Sequence, residues 1–477
     1  MIGENINIYP MMIGGEQVTT AKSFPVLNPA TETIVGYAPV LDNHTVQQVL
    51  TASETAFQSW RNVPLKQRQE LMRHLAVAVD KERDNLIDLL IAETGKDYDN
   101  AVYDFEMIGR CLTYFAEEAA RLRQDVVPDA EGRFLHYLIR QPRGVVVAFV
   151  SWNFPLLNLA YKLGPILASG CTGIISPSPE TPLTTLTVGS ILHDAGLPAG
   201  VINIVTTDDY QFTNQLIESP IPAMVTMIGS TAVGRHVIET SAKTIKQYSM
   251  ELGGDAPVIV YPDADVQLAA EKIVALKLTN AGQVCVSPNR CFVHESVYEE
   301  FIAHAKEQTK KVTLGAGKGE GPRMGPLMSK PALDRITNLI ERAITDGAQV
   351  VVGGKSADSS GFFLEPTILR DVKSDMQLTC DEIFGPVLPI IPFNDADDII
   401  AMANDTSYGL AAYVFTSSLS TALKASEEIE AGSVCINEPF YDINLPHGGI
   451  KQSGIGKDLS PYSLEEYMTL KRVSILK

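Results

Sequence analysis

The stretch NAGQVCVSPNRC, from Asn280 to Cys291, carries two cysteines between a helix-patterned run and a strand-patterned run. A thiolate is a potent nucleophile, whereas a buried thiol is only a small hydrophobe. Either role is open to Cys285 and to Cys291 on this stretch alone. Two other residues could assist a thiol. Asn153, in SWNFP, follows an apolar strand at the edge where ligands meet an open parallel sheet. Its amide can donate to a developing oxyanion, or it can cap the next helix. Glu251, in ELGGD, ends another apolar strand and precedes two glycines that let backbone pass close by. A carboxylate there can act as a general base, or it can be a solvated acid before a turn.

Phosphate-binding signals are weaker. IGSTAVGR (Ile228 to Arg235) runs from a strand into a helix, so Gly229 can turn the chain, Ser230 can cap, and Gly234 can allow close approach. It is not a G-x-G-x-x-G fingerprint, and glycines at such junctions are commonly only turns. GAGKGEGPRMG (Gly315 to Gly325) places Lys318 wrongly for a P-loop and reads as a flexible surface loop. The cysteines at 111, 171, 285, 291, 380 and 435 form no C-x-x-C, and no histidines stand at metal-ligand spacing, so no metal site is expected.

These residues hang on an alternation of strands and helices. Strand GVVVAFV leads to a helix from about Leu156 to Ser169, closed by Gly170, then to strand TGII. A helix over 180–195, strands at 201–206 and 223–229, a helix over 230–241 and a strand at 244–252 follow. A second block adds helix 265–279, strand 290–295, helices 296–311 and 331–346, strand QVVVGG, and further elements at 387–393, 396–404, 411–416 and 418–430. Such alternation builds parallel sheets covered by helices on both faces, here in two α/β blocks with a cleft between them. RFLHYLIRQP, within Gln124–Gln141, reads as a β-hairpin arm, and YMTLKRVSILK at the chain end reads as a strand. They can pair across subunits or sit at the edge of their own sheet.

The chain has 477 residues, a formal net charge of −19, 45% hydrophobic and 20% charged residues. Such acidity disfavours nucleic acid and anionic membrane surfaces as partners. The apolar run Gly144–Ile175 contains only Lys162 as a charge, but its prolines, asparagines and glycines suit a soluble strand–helix–strand better than a membrane span. MIGENINIYPMMIGG has no basic n-region or cleavage signal, and the scattered cysteines suit a reducing cytoplasm.

Taken in order, SWNFP, GSTAVG, ELGG, GQVC, DEIFGPV, NDTSYGLAA and PHGGIKQSGIGKD resemble the aldehyde dehydrogenase superfamily, from about residue 14 to the C-terminus. The resemblance implies a Rossmann-like dinucleotide-binding domain (1–120 and 142–250), a second α/β catalytic domain (251–435) and a β-hairpin oligomerisation arm (121–141 and 458–477). It implies that Cys285 attacks the aldehyde, that Asn153 and the Cys285 backbone N–H hold the oxyanion, and that Glu251 activates the hydrolytic water. Cys291 matches no functional position and is expected in the core. Glu382 and Phe384 match residues around the nicotinamide ribose and ring, Gly229, Ser230 and Gly234 match the pyrophosphate end, and Trp152 and Leu252 join the cofactor set. The aldehyde tunnel is expected from Asp104, Met107, Phe154, Tyr161, Val284, Val286 and the loop 437–445. Homodimers or homotetramers are implied.

Departures bear on cofactor and substrate. Ser176 replaces the family's lysine on the adenosine ribose, and Pro179 stands where an acid often favours NAD. A neutral Ser176 removes a cation that would welcome a 2′-phosphate, so NAD is expected, with NADP possible. Cys171, Asp255 and His447 are milder changes. Asp104, Glu106, Glu438 and Asp442 suggest an acidic entrance, and the C-terminal motifs resemble aminobutyraldehyde dehydrogenases, so a cationic or neutral aldehyde is expected over an anionic semialdehyde. Glu251 argues against the CoA-acylating branch. Two other classes fit the residues: a cofactor-independent cysteine esterase, and a catalytically weak relative with a binding role.

Overall fold

The computed structural model describes residues 7–357 and 360–477. The reading of the N-terminus as leader-free rests partly on residues 1–6, which lie outside the described residues. The first core is built on the near-continuous apolar strands expected of a parallel sheet buried on both faces. Five strands run parallel in the order Ile202–Ile204, Thr172–Pro177, Val145–Val150, Pro222–Ile228, Gln247–Glu251. Short antiparallel strands flank them, Met11–Ile13 and Glu16–Val18 at one side and Gly454–Ile455 at the other. Helices Asn43–Trp60 and Pro155–Ser169 pack on the central strands. The second helix is apolar nearly all round and correspondingly buried; Pro155 opens it, where an N–H would be unpaired anyway, and Gly170, at φ 86°, closes it in the left-handed conformation.

The second sheet has the order Gln349–Val352, Thr367–Arg370, Val387–Phe393, Pro288–His294, Ala256–Val260, Ala411–Phe415, Ser433–Ile436, parallel except for its first strand. Its hydrophobic core spans Ala256 to Ile429. The first core spans Met11 to Leu252 and recovers Ile443, Leu459, Leu464 and Tyr467 from the C-terminal region. The chain therefore crosses between cores at Gly253–Asp255 and returns near the end. Segment 459–467 packs into the first core rather than belonging wholly to an arm.

Several expected elements are shorter than their apolar runs. The strand expected over 201–206 is Ile202–Ile204, and that over 244–252 is Gln247–Glu251, because only these residues pair in the ladder with the neighbouring strand. The glycine-rich 315–325 segment is an anchored wrap, not a free loop. The Arg323 guanidinium fills the space that side chains at Gly315 and Gly319 would take, and the Gly317 N–H donates to the Lys96 carbonyl at 2.7 Å.

Phe134–Pro142 pairs along its whole length with Met468–Leu476 of the same chain, and Asp125–Val127 pairs on its other side. This three-stranded sheet joins the two peripheral strands within one chain. Among the described residues no helix is long and apolar enough to cross a membrane, and no group of three His, Cys, Asp or Glu is placed to hold a metal ion.

Candidate active site

The C-terminal ends of the first sheet's strands face the segments that enter the second sheet. Glu251 is the last residue of one such strand, Asn153 follows another, and Cys285 lies just ahead of Pro288–His294. The loop carrying Cys285 is tightly bent. Asn280, Ala281 and Gly282 have φ of 48°, 56° and 71°, three consecutive residues in the left-handed region. Such a conformation persists only where the surroundings over-determine it. Here a Cβ on Gly282 would collide with the Gly385 carbonyl, and a Cβ on Gly254 would collide with the Cys285 carbonyl. Gln283 is buried and pins the loop, donating to the Asn280 and Pro326 carbonyls at 3.1 and 3.3 Å and accepting from the Met328 N–H at 2.8 Å.

Cys285 opens onto a cavity of about 540 Å³ that Asn153, Glu251, Glu382 and Phe384 also line. Asn153 donates to the Gln283 carbonyl at 3.0 Å and accepts from Asn158 at 3.1 Å, while Asn280 donates to its backbone carbonyl at 2.9 Å. Strand end and cysteine loop are thus tied directly together. Cys291 pairs in the centre of the second sheet and is fully buried. The structure therefore brings Asn153, Glu251 and Cys285 around one cavity and leaves Cys291 in the core.

Burial dominates the electrostatics. Desolvation, reinforced by Glu382 and Glu251, pushes the Cys285 thiol up to about 12, while the backbone N–H groups of Cys285 and Val286 favour the thiolate. Glu251 is buried with neither carboxylate oxygen hydrogen-bonded. Desolvation raises its carboxyl well above the usual range, nearby Asp458 adds to this, and Lys162 and Lys457 oppose it. A Cβ on Gly448 would strike the Glu251 carboxylate. Behind Glu251 lies a buried charged cluster. Lys162 donates to both Asp458 oxygens at 2.8 and 2.6 Å, the Lys457 N–H donates to Glu466 at 2.8 Å, and Lys457 Nζ donates to the Gly448 carbonyl. Sequence reasoning passed over this cluster. Its signal was present in Lys162, a lone charge in an apolar run.

A second cavity of about 290 Å³ adjoins the first and shares Ser151, Trp152, Ile228, Gly229 and Ser230 with it. Ser176 and Pro179 line its far part, together with Glu180, Asp208 and Asp209. The two cavities form one continuous groove running from Ser176 and Pro179, past Gly229 and Ser230, to Cys285. Ser230 caps the helix Thr231–Ser241 by accepting from the Val233 N–H at 3.3 Å. Gly234 does not line either cavity; it lets that helix approach Leu252, which does line the first. Glu382 accepts from the Gly254 N–H at 3.0 Å, and burial raises its carboxyl to about 7. Phe384 holds φ of 49° and sets its ring edge-on to Trp152, centroids 5.4 Å apart. A bulky residue in that region is strained, which fits a wall that must be aimed.

The aldehyde side needs correction. Phe154, Tyr161, Val284 and Val286 line the cavity, but Asp104 and Met107 do not. Asp104 is fully buried, paired with Lys96 and accepting from the Leu157 N–H at 2.6 Å, because a carboxylate inside a core needs such partners. Lys96 in turn sits 3.8 Å from the Phe154 ring centre, so this pair supports the wall from behind. Met107 is core, approached by Arg110. Glu106 pairs with Arg83 at 2.7 Å and Glu438 with Lys272 at 2.9 Å. The acidic entrance reduces to Asp442, which lines the cavity.

A thiol, an amide donor and a buried carboxylate thus line one cavity that continues into a second, the arrangement of groups the resemblance implies. The chain belongs to the aldehyde dehydrogenase family, whose model matches residues 17–473. It is 37% identical over 465 residues to the mitochondrial succinate-semialdehyde dehydrogenase of Oryza sativa, covering 97% of this chain and 88% of that protein. The crystal structure of an NADP-dependent Escherichia coli enzyme superposes with a TM-score of 0.97 at 36% identity, covering 99% of each chain. Escherichia coli lactaldehyde dehydrogenase gives 0.95 at 32% identity, covering 98% of this chain and 99% of that one. The protein is accordingly an NAD(P)-dependent aldehyde dehydrogenase, forming a carboxylic acid.

Cys285 and Glu251 are both held protonated above their ordinary values, so if they act as thiolate and carboxylate, turnover climbs with pH. Profiles of kcat and kcat/KM from about pH 6.5 to about pH 9.5 should each rise several-fold; a maximum near neutrality contradicts Cys285 as nucleophile and Glu251 as base.

Proposed function

We propose that Cys285, Asn153 and Glu251 divide the oxidation between them. The Cys285 thiolate adds to the aldehyde carbon, and the carbonyl oxygen becomes an oxyanion. One amide proton of Asn153 is engaged by the Gln283 carbonyl, which leaves the other, with the Cys285 N–H, for that oxyanion. The bound dinucleotide supplies the hydride acceptor. Loss of hydride leaves a thioester on Cys285. Glu251 then takes a proton from water as the water attacks the thioester, releasing the acid and regenerating the thiol. The observation that carries this reading is the convergence of Cys285, Asn153 and Glu251 on one cavity continuous with the dinucleotide groove.

NAD is the preferred cofactor in this proposal. The adenosine end is lined by Glu180, Asp208 and Asp209 with neither lysine nor arginine, and His236 is the one basic side chain among the described residues of the cavity, so a 2′-phosphate would meet three carboxylates and no permanent cation. The Escherichia coli structural relative is NADP-dependent by description, which makes this a point of divergence. The three-stranded arm, with Leu135, Leu470, Ile475 and Leu476 exposed, is proposed as the surface on which a second copy docks.

Absorbance at the reduced-nicotinamide band, with propanal and NAD or NADP in parallel, tests the catalytic reading and the cofactor choice. NAD should give the higher kcat/KM by about tenfold or more. The signal should vanish in Cys285→Ala and persist in Cys291→Ala. Equal or better use of NADP overturns the preference, and activity in Cys285→Ala overturns the mechanism. Light scattering in solution should give the mass of a dimer or tetramer; a monomer at micromolar concentration removes the arm's assigned role.

A further inference from the structure

Beyond Cys285, on the side away from the dinucleotide groove, the cavity is walled by Phe154, Leu157, Tyr161, Phe440, Tyr441 and His447. The His447 ring lies edge-on between Tyr161 and Tyr441, centroids 6.3 and 5.9 Å away. Burial, then Lys457 and Lys162, push its imidazole down to about 4, so it is neutral at pH 7.

The cavity's charged lining is Glu251, Arg335, Glu382 and Asp442. Arg335 belongs to the nicotinamide end, where its guanidinium donates to the Glu382 and Ile383 carbonyls at 3.3 and 2.5 Å. The cations closest in sequence to the aldehyde-side wall point elsewhere. Lys162, next to Tyr161, is locked to Asp458. Lys96, behind Phe154, is locked to Asp104. Arg110 is exposed and outside the lining, and its charge faces Tyr103 and Asp442 at the rim rather than the interior of the cavity. Among the described residues, the one charge at the mouth that lines the cavity is Asp442, whose carboxyl is held below its usual range first by the Asn444 N–H and, less, by Arg110.

We propose that the substrate is an uncharged aldehyde with an apolar or aromatic body, and that aldehydes bearing a remote carboxylate are rejected. This rests on the oxidation mechanism above and deepens it. The aromatic wall offers edge contacts to a ring and apolar area to a chain. A carboxylate placed a few bonds from the aldehyde would leave water for these walls without a cation to receive it, and would approach Asp442. The fold does not argue otherwise. Solved structures named for succinate-semialdehyde dehydrogenase and for lactaldehyde dehydrogenase share it almost equally, with TM-scores of 0.96 and 0.95, so the difference must lie in the wall.

The test is a kcat/KM panel on the purified full-length protein with NAD: benzaldehyde and hexanal against succinate semialdehyde and glutarate semialdehyde. Both uncharged aldehydes should exceed every charged one by on the order of 100-fold. A charged aldehyde that equals or exceeds benzaldehyde and hexanal overturns the substrate class while leaving the oxidation mechanism standing. If no aldehyde reduces NAD or NADP, the mechanism itself falls, and this inference falls with it.

Discussion

Everything in this site depends on backbone passing backbone at distances that only glycine permits. The Cys285 carbonyl lies where a side chain on Gly254 would be, and the Gly385 carbonyl lies where one on Gly282 would be. These two contacts press the cysteine loop between the exit from the first sheet and the entrance to the second. The left-handed run Asn280–Gly282 is the local cost of that geometry, held by the buried Gln283 side chain and the Asn280–Asn153 hydrogen bond. A nucleophile fixed by main chain on rigid sheets can meet an oxyanion donor and a base from a different sheet without relying on a flexible loop.

Desolvation is the second shared constraint. Burial of their side chains keeps Cys285, Glu251 and Glu382 protonated beyond their ordinary ranges. The same low-dielectric surroundings strengthen each hydrogen bond aimed at a developing charge. Two buried lysines behind the walls are each paired with a buried acid, Lys96 with Asp104 and Lys162 with Asp458. Glu251 is buried with no hydrogen-bond partner, and an unpaired carboxyl facing a cavity is characteristic of a working group.

The α/β alternation and the placement of Asn153, Glu251 and Cys285 were legible because they follow from strong signals. Apolar runs of strand length, glycine stops and ordered motifs all point the same way. The separation of Cys285 from Cys291 was legible too, since Cys291 falls within an apolar strand run. Asp104 and Met107 misled because a helix that passes near a tunnel presents only one stripe to it, and the phase of that stripe is set by packing against the neighbouring helix. The Lys162–Asp458 pair was hidden because its partners are far apart in sequence and meet only when the C-terminal segment returns to the first core. The anchored wrap around Arg323 was hidden because glycine-rich composition does not reveal which side chain fills the space.

The central claim is that the aldehyde becomes a thioester on Cys285 that Glu251 resolves. Intact-protein and peptide mass spectrometry on Glu251→Gln, mixed with hexanal and NAD, tests it directly. The account predicts a burst of about one reduced nicotinamide per site and an acyl group on the peptide containing Cys285, because the water-activating carboxylate is gone. Undiminished turnover with no adduct, or an acyl group carried on another residue, would contradict it.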